Sequence, residues 1–130
     1  MSSYLFVYGT LSPEHAPAPI ATTVGRLRVI ARGHVPGRLY DVGEYPGAIV
    51  DYSVTSLIAG IVYEIPDGSD LLLGLDRYEG FDARHPDASL FLRRTNRITL
   101  EDGRTVAAWV YEYQGPAHAG SLIPSGKYRG

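Results

Sequence analysis

Short runs of β-branched, aromatic and aliphatic residues, separated by glycine or proline, recur along most of this 130-residue chain. Such runs favour strands, and the residues between them favour turns. The runs are Tyr4–Tyr8, an Arg26–Val42 stretch interrupted by Gly33, Pro36 and Gly37, Ala48–Tyr52, Leu57–Ile65, Leu90–Leu100 and Arg104–Tyr113. Asp102-Gly103 between the last two runs is a hairpin signal. We therefore expect five or six strands, with turns at Tyr45–Gly47 and an irregular stretch over the last 17 residues.

One segment has helical periodicity instead. Asp67 or Ser69 can cap a helix that presents one apolar face and ends before Gly80. We expect this helix over Asp67–Tyr78 and a short one over residues 19–25. Few helices among several strands, without regular alternation, predict an α+β fold with a curled, barrel-like sheet. The length fits one domain, residues 1–130.

Composition excludes several classes of function. The net charge is −2 and the arginines are scattered, whereas nucleic-acid binding needs a clustered basic face. Cysteine is absent and the four histidines have no metal-ligand spacing, so we expect no metal and no cofactor. The longest apolar run is well below the roughly 18 residues of a transmembrane helix. We expect a cytoplasmic protein without nucleic-acid or membrane partners, with Arg93, Arg94 and Arg97 solvated or ion-paired.

The first candidate for chemistry is the segment Tyr8-Gly9-Thr10-Leu11, where the first strand ends. A glycine there allows a tight turn whose successive N–H groups can hold a carboxylate or an oxyanion. The simpler interpretation is a glycine that serves only the turn and a tyrosine that belongs to the core. Later in the chain, Trp109, Tyr111 and Tyr113 alternate on one strand face, which indicates core packing or a pocket wall.

The second candidate is Glu79, at the C-terminal end of the predicted helix. The helix dipole disfavours a carboxylate there, and Tyr78 and Phe81 can remove water from it. Both effects would raise the pKa of Glu79 towards neutrality, as a general acid/base requires. The alternative is a solvated glutamate at a helix end. The other acidic residues, Asp76 among them, fit helix-surface or turn positions.

Six short segments are spread in a fixed order over nearly the whole chain. They are Phe6–Leu11, Gly37–Asp41 with Tyr45 and Pro46, Gly60–Glu64, Leu75–Gly80, Ala108–Tyr111 and Ile123–Gly126. In this order they resemble the gamma-glutamylcyclotransferase-like family, in particular its avirulence-induced-gene-like and gamma-glutamylamine cyclotransferase branch. The resemblance implies a small mixed, mostly antiparallel β-barrel with a few flanking helices.

The resemblance also implies an enzyme that needs no cofactor. The family reaction is an intramolecular acyl transfer in which a gamma-glutamyl amide is cleaved by its own α-amine, which releases 5-oxoproline and an amine or amino acid. Carried over to this sequence, Glu79 is the catalytic acid/base, Tyr8, Gly9, Thr10 and Leu11 receive the glutamyl carboxylate and the developing oxyanion, and Tyr113, or else Tyr111, lines the pocket.

The sequence leaves some points open. Residues 82–89 depart from the family pattern, so the leaving amine is undetermined, as is the oligomeric state. A second hypothesis is a non-catalytic module that keeps the barrel cavity and binds a small carboxylated metabolite. An acid/base placed beside the Tyr8–Leu11 loop favours the enzyme, and we expect Glu79 to lie within the span of one folded glutamyl group from the Gly9–Leu11 amides.

Overall fold

The structure is a computed structural model that describes residues 3–8, 27–41, 46–65, 75–76, 84–85, 91–114 and 121–126. Seven strands lie within these ranges. They are β1 (Ser3–Val7), β2 (Arg28–Asp41), β3 (Pro46–Val50), β4 (Leu57–Ile65), β5 (Phe91–Leu100), β6 (Thr105–Tyr113) and β7 (Ser121–Ile123).

Five of these strands form a closed ring. β1, β4, β2, β3 and β6 are hydrogen-bonded neighbours in that order, and β6 pairs again with β1. The β1–β6 and β3–β6 pairs are parallel, and the other pairs are antiparallel. β5 joins β6 to β2, and β7 adds to β2. The sheet is therefore a mixed five-stranded barrel with two additional strands, so the predicted barrel-like sheet is confirmed.

Alternation along the strands divides the apolar side chains into two clusters. The inner core draws residues from six strands, as expected for a barrel interior: Phe6, Val35, Leu39, Ala48, Ile58, Val62, Ile98, Leu100, Ala108 and Val110. The outer core lies on the opposite face of the sheet and comprises Leu5, Val7, Leu27, Tyr63, Ile65, Leu75, Phe91 and Tyr111. Neighbouring residues of β1 thus pack into different cores, because successive side chains of a strand point to opposite faces.

Gly33, Pro36 and Gly37 predict a bulge or a sharp bend in this stretch. β2 runs through it as one strand, and its register shifts between Val29 and Ala31, before Gly33. Gly37 has a φ of +154°, and a Cβ there would lie 2.4 Å from the carbonyl oxygen of Ile49. The strand turns from pairing with β4 to pairing with β3 at this residue, which only a glycine allows.

Two local predictions are wrong. Pro46 and Gly47 belong to β3 and not to a turn, because they pair with Asp41 and Tyr40. The C-terminal stretch is not wholly irregular, since Ser121–Ile123 pairs with the end of β2.

The predicted helices are mostly outside the described residues. Residues 19–25 lie there entirely, and of Asp67–Tyr78 only Leu75 and Asp76 are described, both in helical conformation. In the described part of the chain, no helix is long and apolar enough to cross a membrane.

Candidate functional site

Tyr8 lies at the end of β1, where the barrel closes. Its hydroxyl donates a hydrogen bond to the backbone carbonyl of Tyr111 on β6. The backbone N–H of Ala48 on β3 donates to the same hydroxyl, at 3.4 Å. The phenol thus links β1 to the β3–β6 parallel pair and fixes the point from which the chain continues. Gly9, Thr10 and Leu11, which follow, lie outside the described residues.

Tyr113 reaches the same part of β3. A Cβ on Gly47 would lie 2.7 Å from the ring carbon Cγ of Tyr113, so the ring packs directly on the glycine backbone. The rings of Phe91 and Tyr113 meet edge-to-face, with their centroids 5.8 Å apart. Tyr8 and Tyr113, both predicted to bind substrate, therefore contact adjacent residues of β3.

The predicted aromatic stripe of β6 is confirmed. Tyr111 belongs to the outer core, and Trp109 and Tyr113 pack against it. Alternation explains this, because Ala108 and Val110, on either side of Trp109, belong to the inner core.

The interpretation of Asp76 as a helix-surface residue is wrong. Asp76 is buried, with 7% of its surface exposed. Its Oδ1 accepts a hydrogen bond from the hydroxyl of Tyr111 at 2.6 Å and lies 2.8 Å from Nε of Arg93. The guanidinium of Arg93 in turn lies 4.4 Å from the centre of the Trp109 ring. A buried carboxylate needs such partners, because its desolvation is otherwise uncompensated.

The strand register brings these partners together. Arg93 pairs with Tyr111 across the β5–β6 hairpin, so both side chains leave the same face. The Asp102-Gly103 turn fixes this register in the sequence, and it could have indicated that Arg93 shares a face with the aromatic stripe. Nothing in the local sequence shows that Asp76 faces that stripe, since this requires the packing of distant segments.

Tyr111 connects the two segments that the sequence singles out. Its carbonyl accepts from Tyr8, and its hydroxyl donates to Asp76. Glu79, three residues after Asp76 in the sequence, lies outside the described residues. The geometry therefore joins Tyr8 at the end of β1 and Asp76 to one residue of β6. The expected closeness of the Glu79 carboxylate to the Gly9–Leu11 amides stays a prediction.

The arginines of β5 differ in their surroundings. Arg93 is paired with Asp76 as described, whereas Arg94 and Arg97 are exposed. Within the described ranges, no group of three or more histidine, aspartate or glutamate side chains is arranged to hold a metal ion.

A family model described as "Gamma-glutamyl cyclotransferase, AIG2-like" matches residues 5–130. The chain belongs to this AIG2-like family. The match contains Tyr8, Asp76, Glu79, Arg93 and Tyr111. Among curated protein sequences, none matches the chain with significance.

Solved structures share the AIG2-like fold. An AIG2-like protein from Mus musculus is 21% identical, covers 98% of this chain and 88% of its own, and has a TM-score of 0.74. YtfP from Escherichia coli is 26% identical over 97% of this chain and 96% of its own, with a TM-score of 0.64. YkqA from Bacillus subtilis is 23% identical over 98% of this chain, with a TM-score of 0.72, and the chain spans 40% of the length of YkqA.

Proposed function

We propose that this protein is a gamma-glutamyl cyclotransferase that releases 5-oxoproline and an amine or amino acid from a gamma-glutamyl amide. Membership of the AIG2-like family supports this class of activity. The substrate supplies its own nucleophile, so the reaction needs neither a nucleophilic side chain nor a metal.

The reaction is an intramolecular substitution at the γ-carbonyl carbon. The α-amino nitrogen of the glutamyl group forms a bond to this carbon, and the bond to the leaving nitrogen breaks. The α-ammonium nitrogen loses one proton to become the nucleophile and a second as it becomes the lactam N–H. The leaving nitrogen takes up one proton as its bond breaks and another as the released amine becomes an ammonium group. A single glutamate can carry protons between the two nitrogens in sequence. Ring closure also requires a folded glutamyl chain, so holding that conformation accelerates the reaction.

We assign the proton transfers to Glu79. The backbone and side chains of Tyr8, Gly9, Thr10 and Leu11 receive the glutamyl carboxylate and the developing oxyanion, and Tyr113 forms part of the pocket wall. Tyr8 supports this assignment through its position, since its hydroxyl is engaged by β6 and β3 and so holds the start of the loop in place.

The observation that carries the proposal is the double role of Tyr111. One residue hydrogen-bonds through its carbonyl to the residue that begins the binding loop, and through its hydroxyl to the residue three positions before Glu79. A site with an anion-binding loop and an acid/base needs the two segments side by side. The hydrogen bonds of Tyr111 favour that arrangement.

The test is a discontinuous assay of 5-oxoproline over a panel of gamma-glutamyl amines, gamma-glutamyl amino acids and glutathione. We expect release from at least one class, with the free amine or amino acid formed in equal amount. Glutamate in place of 5-oxoproline would instead indicate hydrolysis by water. Saturable binding of a panel member without product would favour a metabolite-binding module, and the cyclotransferase assignment would then be wrong.

A further inference from the structure

Asp76 is a buried carboxyl group whose partners, among the residues that the structure describes, lie on the β5–β6 hairpin. Its side chain is 10% exposed and that of its partner Arg93 is 16% exposed. Buried ion pairs are weak sources of stability, because apolar residues of similar volume often stabilise a fold as well or better. Stability alone therefore gives little reason for a carboxylate here. A pair of this kind does fix direction and distance, because its geometry is demanding.

Two residues of the hairpin contact the same oxygen of Asp76. The Tyr111 hydroxyl donates a hydrogen bond to Oδ1 at 2.6 Å, and Arg93 forms an ion pair with it, Nε lying 2.8 Å from Oδ1. Arg93 and Tyr111 lie on adjacent strands at directly paired positions. The guanidinium carbon of Arg93 lies 4.4 Å from the centre of the Trp109 ring, a cation–π contact that helps to hold the side chain. The carboxyl group is thus held by one hydrogen bond and one ion pair from a single hairpin.

We propose that Asp76 is a positioning residue that sets the place of Glu79 through Tyr111 and Arg93. This inference rests on the proposed function, because it assigns a role relative to the acid/base of that site. The backbone carbonyl of Tyr111 also accepts a hydrogen bond from the Tyr8 hydroxyl. Tyr111 thus connects Asp76 to the residue that begins the proposed binding loop. Asp76 itself transfers no proton and touches no substrate in this account.

The inference predicts a particular kinetic effect. A misplacement of about 1 Å in a reacting group can lower a rate about a hundredfold. Loss of the Arg93 anchor should therefore lower kcat while the binding loop, and with it KM, stays nearly unchanged. A role confined to folding would lower the unfolding midpoint and leave kcat per folded molecule as it is.

The experiment compares Arg93→Gln with Arg94→Gln, a matched pair of neighbouring arginines of which the second is exposed. Asp76→Asn, Tyr111→Phe, Arg93→Lys and Glu79→Gln complete the set, and each variant is assayed for 5-oxoproline after its urea midpoint is measured. We expect Arg93→Gln and Tyr111→Phe to lower kcat by about tenfold to a hundredfold with KM within about threefold of wild type. Arg93→Lys retains the cation and should recover part of the loss, and Arg94→Gln should match wild type.

The outcomes separate the two proposals. If Glu79→Gln abolishes turnover but Arg93→Gln and Tyr111→Phe both keep the wild-type kcat, the positioning role is wrong and the proposed function stands. If the wild type releases no 5-oxoproline, or Glu79→Gln is as active as wild type, the proposed function fails and the positioning role with it. If Asp76→Asn folds poorly, the decision rests on Tyr111→Phe. That variant removes the same hydrogen bond by deleting only the Tyr111 hydroxyl oxygen.

Discussion

The hydroxyl of Tyr8 is a single polar atom that joins three strands. It donates to the Tyr111 carbonyl and accepts from the Ala48 amide. A partly buried backbone N–H or C=O group that loses its hydrogen-bond partner cannot fully replace that hydrogen bond with one to water. The benzene ring of Tyr8 would stay in place without the hydroxyl, so the effect of the oxygen can be isolated.

We expect Tyr8→Phe to lower the free energy of unfolding by about 1–2 kcal/mol. Urea denaturation measures the change. Tyr52→Phe is the matched control, because it deletes a phenolic oxygen that also forms two hydrogen bonds but lies on the exposed surface, and it should change stability by less than about 0.5 kcal/mol. Equal effects of the two deletions would contradict the structural role of Tyr8.

Gly37 in β2 and Gly103 in the β5–β6 turn give a comparison of strain with packing. Both have positive φ, +154° and +88°. A Cβ at Gly103 would meet nothing within 4 Å, whereas one at Gly37 would lie 2.4 Å from the Ile49 carbonyl oxygen and 2.8 Å from Cδ1 of Ile58. Both substitutions by alanine therefore carry a backbone cost, and only the one at Gly37 adds a clash.

We expect Gly103→Ala to cost about 1–2 kcal/mol of unfolding free energy, from backbone strain alone. Gly37→Ala should cost at least about 1–3 kcal/mol more, because overpacking adds to the strain. Thermal or urea unfolding of the two variants measures the difference. Similar midpoints would show that β3 can move away from Gly37, against the close packing of the barrel seen here.

The hairpin turn also predicts a pH dependence. Hydrogen bonds from the backbone N–H of Arg104, at 3.0 Å, and from its Nε, at 2.6 Å, hold the pKa of Asp102 below its ordinary value of 3.8. Because the pKa is lower in the folded state, these bonds stabilise the fold above the ordinary pKa. That stabilisation is lost as the pH falls through the lowered pKa.

We expect the side-chain carboxyl resonance of Asp102 to titrate with a midpoint below 3.8. Arg104→Ala removes the side-chain donor and keeps the backbone one, so it should move the midpoint only part of the way back. A wild-type midpoint at or above 3.8 would contradict the hydrogen bonding of this turn.

Strands were predictable from the sequence where the pattern is local. The prediction for β4 has the observed bounds, and those for β5 and β6 differ by one residue at their starts, because alternation and the Asp102-Gly103 turn define them. The parallel β1–β6 and β3–β6 pairs that close the barrel join segments far apart in the chain, and no local signal specifies them. β7 was missed for the same reason, since a three-residue strand exists only through its partner.

The candidate site divides in the same way. The positions of Tyr8 and Tyr113 left core packing open for both, and the resemblance gave them their binding roles. The structure brings them to neighbouring residues of β3. The resemblance to a known family was needed to choose Glu79 over a solvated glutamate. Asp76 was misjudged because its burial depends on Tyr111 and Arg93, which are distant in sequence.

For the chain as a whole, β2 is the strand on which the others depend. It pairs with β3, β4, β5 and β7. Detachment of any one of these strands would therefore weaken the pairing of β2 with the others and expose the inner core to water. We expect a single cooperative unfolding transition. The chain has one tryptophan, Trp109, whose fluorescence reports the outer core, while far-UV circular dichroism reports the sheet. Two separate midpoints would contradict a single cooperative unit.

The assignment of Glu79 as the acid/base is tested by Glu79→Gln, assayed with a substrate identified in the panel. Glutamine has nearly the same shape and can keep a hydrogen bond, but it cannot accept the ammonium proton or return one to the leaving nitrogen. Glu101→Gln, at an exposed turn position, is the matched control and should retain wild-type activity. We expect Glu79→Gln to lower turnover by about 10²–10⁴-fold, with substrate binding by calorimetry and the unfolding midpoint nearly unchanged. A variant that keeps more than about a tenth of wild-type turnover would fall outside that range and contradict the assignment.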